Sequence, residues 1–211
     1  MKNIVIVDYG LGNLFSIKQA LEAAGANVYF SSKADEIVKA DGILLPGVGA
    51  FADAMKRLRE LDLINVIVES AQKNKPILGV CLGLQLLFEK SYEFGEHSGL
   101  GLIPGEVVKF PSSHAGVSLT VPFIGWNRLH LTADGKKSSI LSSLKDLTKI
   151  YFVHSYYVSP KSEAQVLAHC HYQGFAFPAC VRYKNTIGIQ GHPEKSSTEG
   201  LEIYKNWVAS L

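Results

Sequence analysis

A segment that is apolar at every position can be buried only in a sheet covered on both faces. Residues 4–7, Ile-Val-Ile-Val, form such a segment, and residues 42–45 and 76–80 give further short apolar runs. Each run stops at a turn: Asp8-Tyr9-Gly10-Leu11-Gly12-Asn13, Pro46-Gly47-Val48-Gly49 and Cys81-Leu82-Gly83. Between the runs the period changes to that of a helix. Leu14, Ile17, Leu21 and Ala24 share one helical face, and Gly25 ends it. A strand is expected at 27–30, a short helix at 34–39, a long amphipathic helix at 51–72 and a helix at 82–90. This alternation predicts an open, twisted, mostly parallel sheet flanked by helices. Ligands of such sheets bind at the carboxyl ends of the strands, where the three turns fall.

The second half is different. Segments 105–110, 126–131, 150–158, 165–170, 179–183 and 186–190 read as shorter strands, with Gln173-Gly174 and Lys184-Asn185 as hairpin turns. They are expected to extend the same sheet system as antiparallel strands. Residues 111–120 and 132–139 read as polar loops, and 199–210 as a closing helix. With no internal repeat, 211 residues suit one domain spanning 1–211.

Hydrophobic residues make up 47% and charged residues 19%, an ordinary globular balance. A formal charge of +2 argues against nucleic-acid binding as the main activity. No run approaches the roughly 18 apolar residues needed to cross a bilayer. The apolar stretch at 4–7 is too short for a signal peptide, so a cytoplasmic location is expected. Cys81, Cys170 and Cys180 have neither disulfide-framework nor metal-ligand spacing, so no disulfide, metal or cofactor is expected.

Cys81 stands out among the three. The run Gly79-Val80-Cys81-Leu82-Gly83 has the form of a nucleophile elbow, G-x-C-x-G, with a strand before the cysteine and a helix after it. Glycine is placed on either side because side chains there would collide with neighbouring elements. The amides at the start of the helix face the sulfur and favour thiolate. The bland alternative is a small buried cysteine ending a core strand. A base is needed to choose between them, and His192-Pro193-Glu194 supplies one. Proline holds the residue before it extended, and positions two apart in an extended chain point the same way. Glu194 can therefore hold one imidazole nitrogen of His192 while the other faces the thiol. His97, His114 and His130 read as solvated, and His169 and His171 as structural. Donors for a developing oxyanion are expected from the Leu82 amide and from Val48 or Gly49.

In the order PGVG, GVCLGLQ, HPE, these motifs resemble the class I glutamine amidotransferases. DYGLGN, GLGLIPG, IGWN at 124–127, YFVHSYY at 151–157 and HPEKSS at 192–197 are more similar to the glutaminase subunits of imidazole glycerol phosphate synthases. The resemblance covers nearly the whole chain and implies a flavodoxin-like amidotransferase fold. It implies hydrolysis of L-glutamine through a thioester on Cys81, with His192 as base and Glu194 orienting it. It maps a glutamine pocket onto Gly49, Gln85, Glu93, Ser155 and Tyr156. It also implies delivery of ammonia to a (β/α)8-barrel cyclase subunit, with Asn13, Tyr151 and Lys195 facing that partner.

Two positions depart from the family pattern. Phe123 stands where histidine is expected, and Gly191 where phenylalanine is common. They keep open a paralogous glutaminase that feeds a surface-sugar-aminating synthetase. A cysteine peptidase or γ-glutamyl hydrolase on the same fold, and a non-catalytic scaffold, are the readings from other classes.

Overall fold

The computed structural model describes residues 1–211. In chain order its elements begin with β1 (Asn3–Val7), α1 (Leu14–Ala23), β2 (Asn27–Ser31), α2 (Ala34–Lys39), β3 (Gly42–Leu45), α3 (Phe51–Glu60), α4 (Leu63–Gln72), β4 (Ile77–Val80) and α5 (Leu82–Leu86). They continue with β5 (Phe88–Ser91), β6 (His97–Ser98), β7 (Ile103–Lys109), β8 (Ser113–His114), β9 (Val117–Ser118), β10 (Phe123–Leu131) and α6 (Ala133–Lys137). The chain closes with β11 (Lys149–His154), β12 (Tyr156–Pro160), β13 (Val166–Tyr172), β14 (Phe175–Tyr183), β15 (Thr186–Ile189) and α7 (Ser197–Ser210).

Nine strands form the main sheet in the order β11-β10-β13-β14-β15-β4-β3-β1-β2. The run β15-β4-β3-β1-β2 is parallel, and β11, β10, β13 and β14 add antiparallel strands from the C-terminal half. Both faces are covered, as the unbroken apolar strands demand. Ile4, Ile6, Leu44, Leu78 and Val80 point to one core, shared with Ile17 and Leu21 of α1 and Ile203, Tyr204 and Trp207 of α7. Their neighbours Val5, Val7, Ile43, Leu45 and Ile77 point to the other, under α2 to α5. This is the two-residue period of a strand read on both faces. No helix is long and apolar enough to cross a membrane.

Several expected elements take another form. The helix expected over 51–72 is two helices, broken where Asp62 turns left-handed at φ 55°. The helix expected over 82–90 stops at Leu86, and Phe88–Ser91 pairs with β7. Residues 150–158 are two strands in two sheets. β11 edges the main sheet, whereas β12 belongs to a separate four-stranded sheet, β12-β7-β5-β6. Part of the second half is thus a second sheet, packed over the face that carries α3 to α5. The polar stretch at 111–120 contains the hairpin β8–β9, and 132–139 contains α6, capped by the Thr132 hydroxyl on the Gly135 amide. Both predicted hairpin turns are present. Gln173 and Gly174 have φ 49° and 83°, and Lys184 has φ 53°.

Candidate active site

The elbow is built as its glycines require. Cys81 has φ 55° and ψ −113°, a strained backbone for a side-chain-bearing residue. A Cβ on Gly83 would lie 1.9 Å from the Leu45 carbonyl oxygen, and one on Gly79 would lie 2.7 Å from the Gly83 carbonyl oxygen. Only glycine lets β4 turn this sharply beneath the end of β3. The Cys81 amide donates to Ile189 O at 2.8 Å, which ties the elbow to the end of β15. That same strand end leads to His192, so adjacency of β4 and β15 is what brings Cys81 and His192 to one place.

His192 and Glu194 side chains are 3% and 1% exposed. The imidazole Nδ1 meets Glu194 Oε1 at 2.8 Å. The His192 amide donates to Tyr151 O at 2.8 Å, the Ser196 hydroxyl donates to His192 O, and the Tyr151 amide donates to the Ser196 hydroxyl. These bonds fix the turn that presents the ring. The His192 Nε2 is buried without a regular hydrogen bond. Burial opposes protonation of His192, but the loose contact and charge of Cys81, with the bond and charge of Glu194, outweigh it and lift its pKa to about 10.

A cleft of about 410 Å³ opens over Cys81. Val48, Gly49, Leu82, Gln85, Glu93, Ser155, Tyr156 and His192 are among the residues that line it. It lies where the two sheets meet: Ser155 joins β11 of one to β12 of the other. No hydrogen bond engages the amides of Val48 or Gly49, and Gly49 has φ 98°. The Leu82 amide belongs to the first turn of α5 and has no acceptor within that helix. The amides of Val48, Gly49 and Leu82, left unbonded, thus belong to residues of the cleft wall, although α5 is only five residues long and its dipole correspondingly short.

Other wall residues are already engaged. Gln85 Nε2 donates to Tyr156 O at 3.0 Å and to Gln190 Oε1 at 3.1 Å. Glu93 Oε2 accepts from the Phe51 amide at 2.6 Å, leaving its other oxygen for the cleft. Pro122, Val153 and His154 also line the cleft and were not singled out from the sequence. Neither were two buried supports. Gln190 Nε2 approaches Cys81 Sγ at 3.9 Å, and the Tyr9 hydroxyl donates to Pro46 O at 2.6 Å, bracing the 46–49 loop. No local pattern marks Gln190, His154 or Tyr9 as different from other strand-end polar residues; their roles arise from contacts 37 or more residues away, or from a pocket wall.

Tyr151 and Lys195 come together, with the ammonium 5.9 Å from the ring centroid, and Trp126 meets Tyr151 edge-on at 5.9 Å. Ile124 and Trp126 lie opposite Val153 and Tyr151 on the edge pair β10–β11. Ile124 is 60% exposed and Trp126 51%. Asn13 heads α1, away from any bond to this patch. His169 pairs with Glu163 at 2.6 Å, and His130 and His171 rings pack at 4.4 Å, all outside the cleft. His130 lies within β10, and His97 and His114 in the short strands β6 and β8.

The two unusual positions have local explanations. Phe123 is buried and stacks on Tyr172 at 4.2 Å and Phe152 at 5.5 Å. A Cβ on Gly191 would lie 2.4 Å from Ile150 Cγ2 and 3.3 Å from Phe152. Phe152 and Ile150 occupy the space beside residue 191, so a larger residue there has no room.

Residues 5–211 match the family described as Glutamine amidotransferase class-I. The chain is 48% identical over 204 residues to the imidazole glycerol phosphate synthase subunit HisH of Aquifex aeolicus, covering 96% of this chain and 94% of that one. It is 49% identical over 210 residues to the same-named subunit of Methanosarcina acetivorans, covering 99% and 98%. In fold it resembles a crystal structure of a glutamine amidotransferase, with TM-score 0.74 at 18% identity over 98% of this chain and 99% of that one. It also resembles PurLQS from Thermotoga maritima, with TM-score 0.73 at 19% identity over 100% and 99%.

Proposed function

Because the chain belongs to the class I glutamine amidotransferases and is similar along its length to HisH subunits, we propose that it is the glutaminase subunit of an imidazole glycerol phosphate synthase. The observation that carries the chemistry is the strained Cys81 elbow beside the buried His192–Glu194 pair on the wall of one cleft. Cys81 Sγ attacks the glutamine carboxamide carbon. The oxygen takes the charge and meets the amides of Leu82 and of Val48 or Gly49. His192 gives its proton to the departing nitrogen, which leaves as ammonia, and a γ-glutamyl thioester remains. Water enters, His192 takes its proton, and hydroxide displaces the thiolate to release glutamate. Glu194 holds His192 in the required tautomer throughout.

Gln85, Glu93, Ser155 and Tyr156 form the glutamine pocket in this proposal, with the free Glu93 oxygen suited to the substrate ammonium. The chain works as one amidotransferase domain, in the cytoplasm, without a cofactor. Its partner is the barrel cyclase that consumes the ammonia. The Ile124, Trp126, Tyr151 and Lys195 patch beside the cleft faces that partner, and Asn13, in the loop at the carboxyl end of β1, faces it too. Phe123 and Gly191 are explained by packing with Phe152, so neither favours a sugar-modifying partner.

The test is glutamine hydrolysis with and without the cyclase and its nucleotide ligand. Low basal turnover, strong stimulation by both and loss of activity in Cys81→Ala are expected. The free amides and open φ of the 46–49 loop motivate the low basal rate, since its peptide can move when a partner docks. Full glutamine turnover by Cys81→Ala would remove the basis of the mechanism.

A further inference from the structure

The carboxylate behind the base has two oxygens, and His192 uses one. Glu194 Oε1 meets His192 Nδ1 at 2.8 Å, and Oε2 accepts from the Tyr204 hydroxyl at 3.2 Å. No other side chain or amide donates to Glu194, whose side chain is 1% exposed. We propose that Tyr204 is a positioning residue of this centre: its hydroxyl holds Glu194 turned so that Oε1 meets His192. This rests on the reading in which Cys81, His192 and Glu194 hydrolyse glutamine.

A buried carboxylate out of reach of water needs a donor for each oxygen, and a donor on Oε2 fixes the plane in which Oε1 faces the imidazole. The helix that supplies Tyr204 is shaped for the task. Gly200 lies one turn before Tyr204 on the same face of α7. A Cβ at Gly200 would lie 2.0 Å from the Pro193 carbonyl oxygen and 2.7 Å from Ser196 Cβ. Its absence lets α7 sit directly on the 193–195 turn, so the next residue on that face reaches Glu194. The pattern is Glu-x5-Gly-x3-Tyr, running from 194 to 204.

Tyr204 could instead be an ordinary core residue, since its ring is fully buried near Ile203 and Trp207. Phenylalanine would fill that space equally well. A buried hydroxyl is costly without a partner, and this one's acceptor is the carboxylate that orients the base. Burial first, then the charge and bond of Glu194, push the Tyr204 pKa well above its ordinary value. The phenol therefore remains a donor throughout the working range.

The decisive variant is Tyr204→Phe, assayed as the complex with the cyclase. A hydrogen bond to a charged group is worth enough to predict a kcat loss of about tenfold, with KM nearly unchanged. The alkaline limb of kcat/KM, where the imidazolium loses its proton, is expected to move to lower pH. The groups facing His192 are Cys81, Glu194, Tyr151 and His154, with Lys195 over Tyr151, and all stay in place. In a Glu194→Gln background, Tyr204→Phe should bring no further loss of kcat. A fully additive loss, or a Tyr204→Phe enzyme with wild-type kcat and pH profile and only a lower melting temperature, overturns the proposal.

Titration of the His192 imidazole by NMR in the isolated chain needs no turnover. A lowered midpoint in Tyr204→Phe supports the role, and an unchanged one refutes it. If wild type with its partner hydrolyses no glutamine, the glutaminase reading fails while this titration still decides on Tyr204. If Tyr204→Phe does not fold, 3-fluorotyrosine at 204, a stronger donor of nearly the same shape, gives the same readout. A shifted His192 midpoint supports the role, and no change overturns it.

Discussion

Two glycines meet a carbonyl oxygen at nearly the same distance but in different places, which separates geometry at the site from stability. A Cβ on Gly83 would lie 1.9 Å from Leu45 O and 2.7 Å from Leu45 C, just before the 46–49 loop. A Cβ on Gly135, in α6, would lie 1.8 Å from Leu167 O. Contacts under 3.0 Å must be relieved, and here both neighbours are backbone, so more than an ångström of movement is needed in each case. Overpacking of this kind costs about 1–3 kcal/mol. For a chain of this size that lowers Tm by roughly 2–12 °C. Gly83→Ala must also move the elbow away from the oxyanion donors. A displacement of about 1 Å at reacting groups can cost on the order of a hundredfold in rate.

The expected result is therefore asymmetric. Both variants melt at lower temperature by calorimetry, but only Gly83→Ala loses one to two orders of magnitude in kcat for glutamine hydrolysis with the partner bound. The assay is run well below both melting temperatures, with circular dichroism confirming folded protein. Wild-type kcat in Gly83→Ala would refute the argument that this glycine sets the distance between nucleophile and oxyanion loop. So would an equal loss in Gly135→Ala.

The remaining expectations concern charge, surface and base. Burial holds the His154 pKa down to about 4, with its bond to Tyr156 O opposing and His192 adding to the depression. The unfolded chain then binds the extra proton between its ordinary value of 6.5 and about 4, so this contribution to stability is complete above 6.5 and falls as pH drops through that window. Urea midpoints at pH 7 and pH 4.5 should show a smaller acid loss in His154→Gln than in wild type, by up to about 3 kcal/mol; an equal loss would contradict the assignment. Ile124→Asp puts a charge on the exposed edge patch and should weaken cyclase binding in calorimetric titration while leaving Tm unchanged; undiminished affinity would move the interface elsewhere. Glu194→Gln should lower kcat more than it raises KM, and a pure KM effect would argue that Glu194 contacts substrate instead of the base.

Much of the site was legible because its parts are local. Gly79, Cys81 and Gly83 are needed within one turn, and His192 and Glu194 lie two residues apart. Strand ends at 7, 45 and 80 were equally clear, because unbroken apolar runs buried on both faces stop where the backbone meets the cleft. Other boundaries were not. The apolar period of 51–72 passes through Asp62 without a break, so only a left-handed residue in the fold reveals two helices. Leu84-Gln85-Leu86-Leu87-Phe88 is too short and too uniformly apolar to divide between helix and strand by periodicity. The alternation of 150–158 continues through Ser155, although the chain changes sheets there.

The sequence by itself determined the candidates for the chemistry: a cysteine at an elbow, a histidine with a carboxylate two residues on, and glycines at the turns beside them. These depend on backbone geometry and spacing over a few residues. Only the tertiary structure decided what supports them. Tyr204 behind Glu194, Gln190 beside Cys81, Tyr9 under the 46–49 loop and His154 in the cleft wall meet their partners through pairing of β4 with β15 and packing of α7 on the sheet. Contacts between residues distant in the chain leave no periodic trace, because nothing in the local backbone requires them until the layers close.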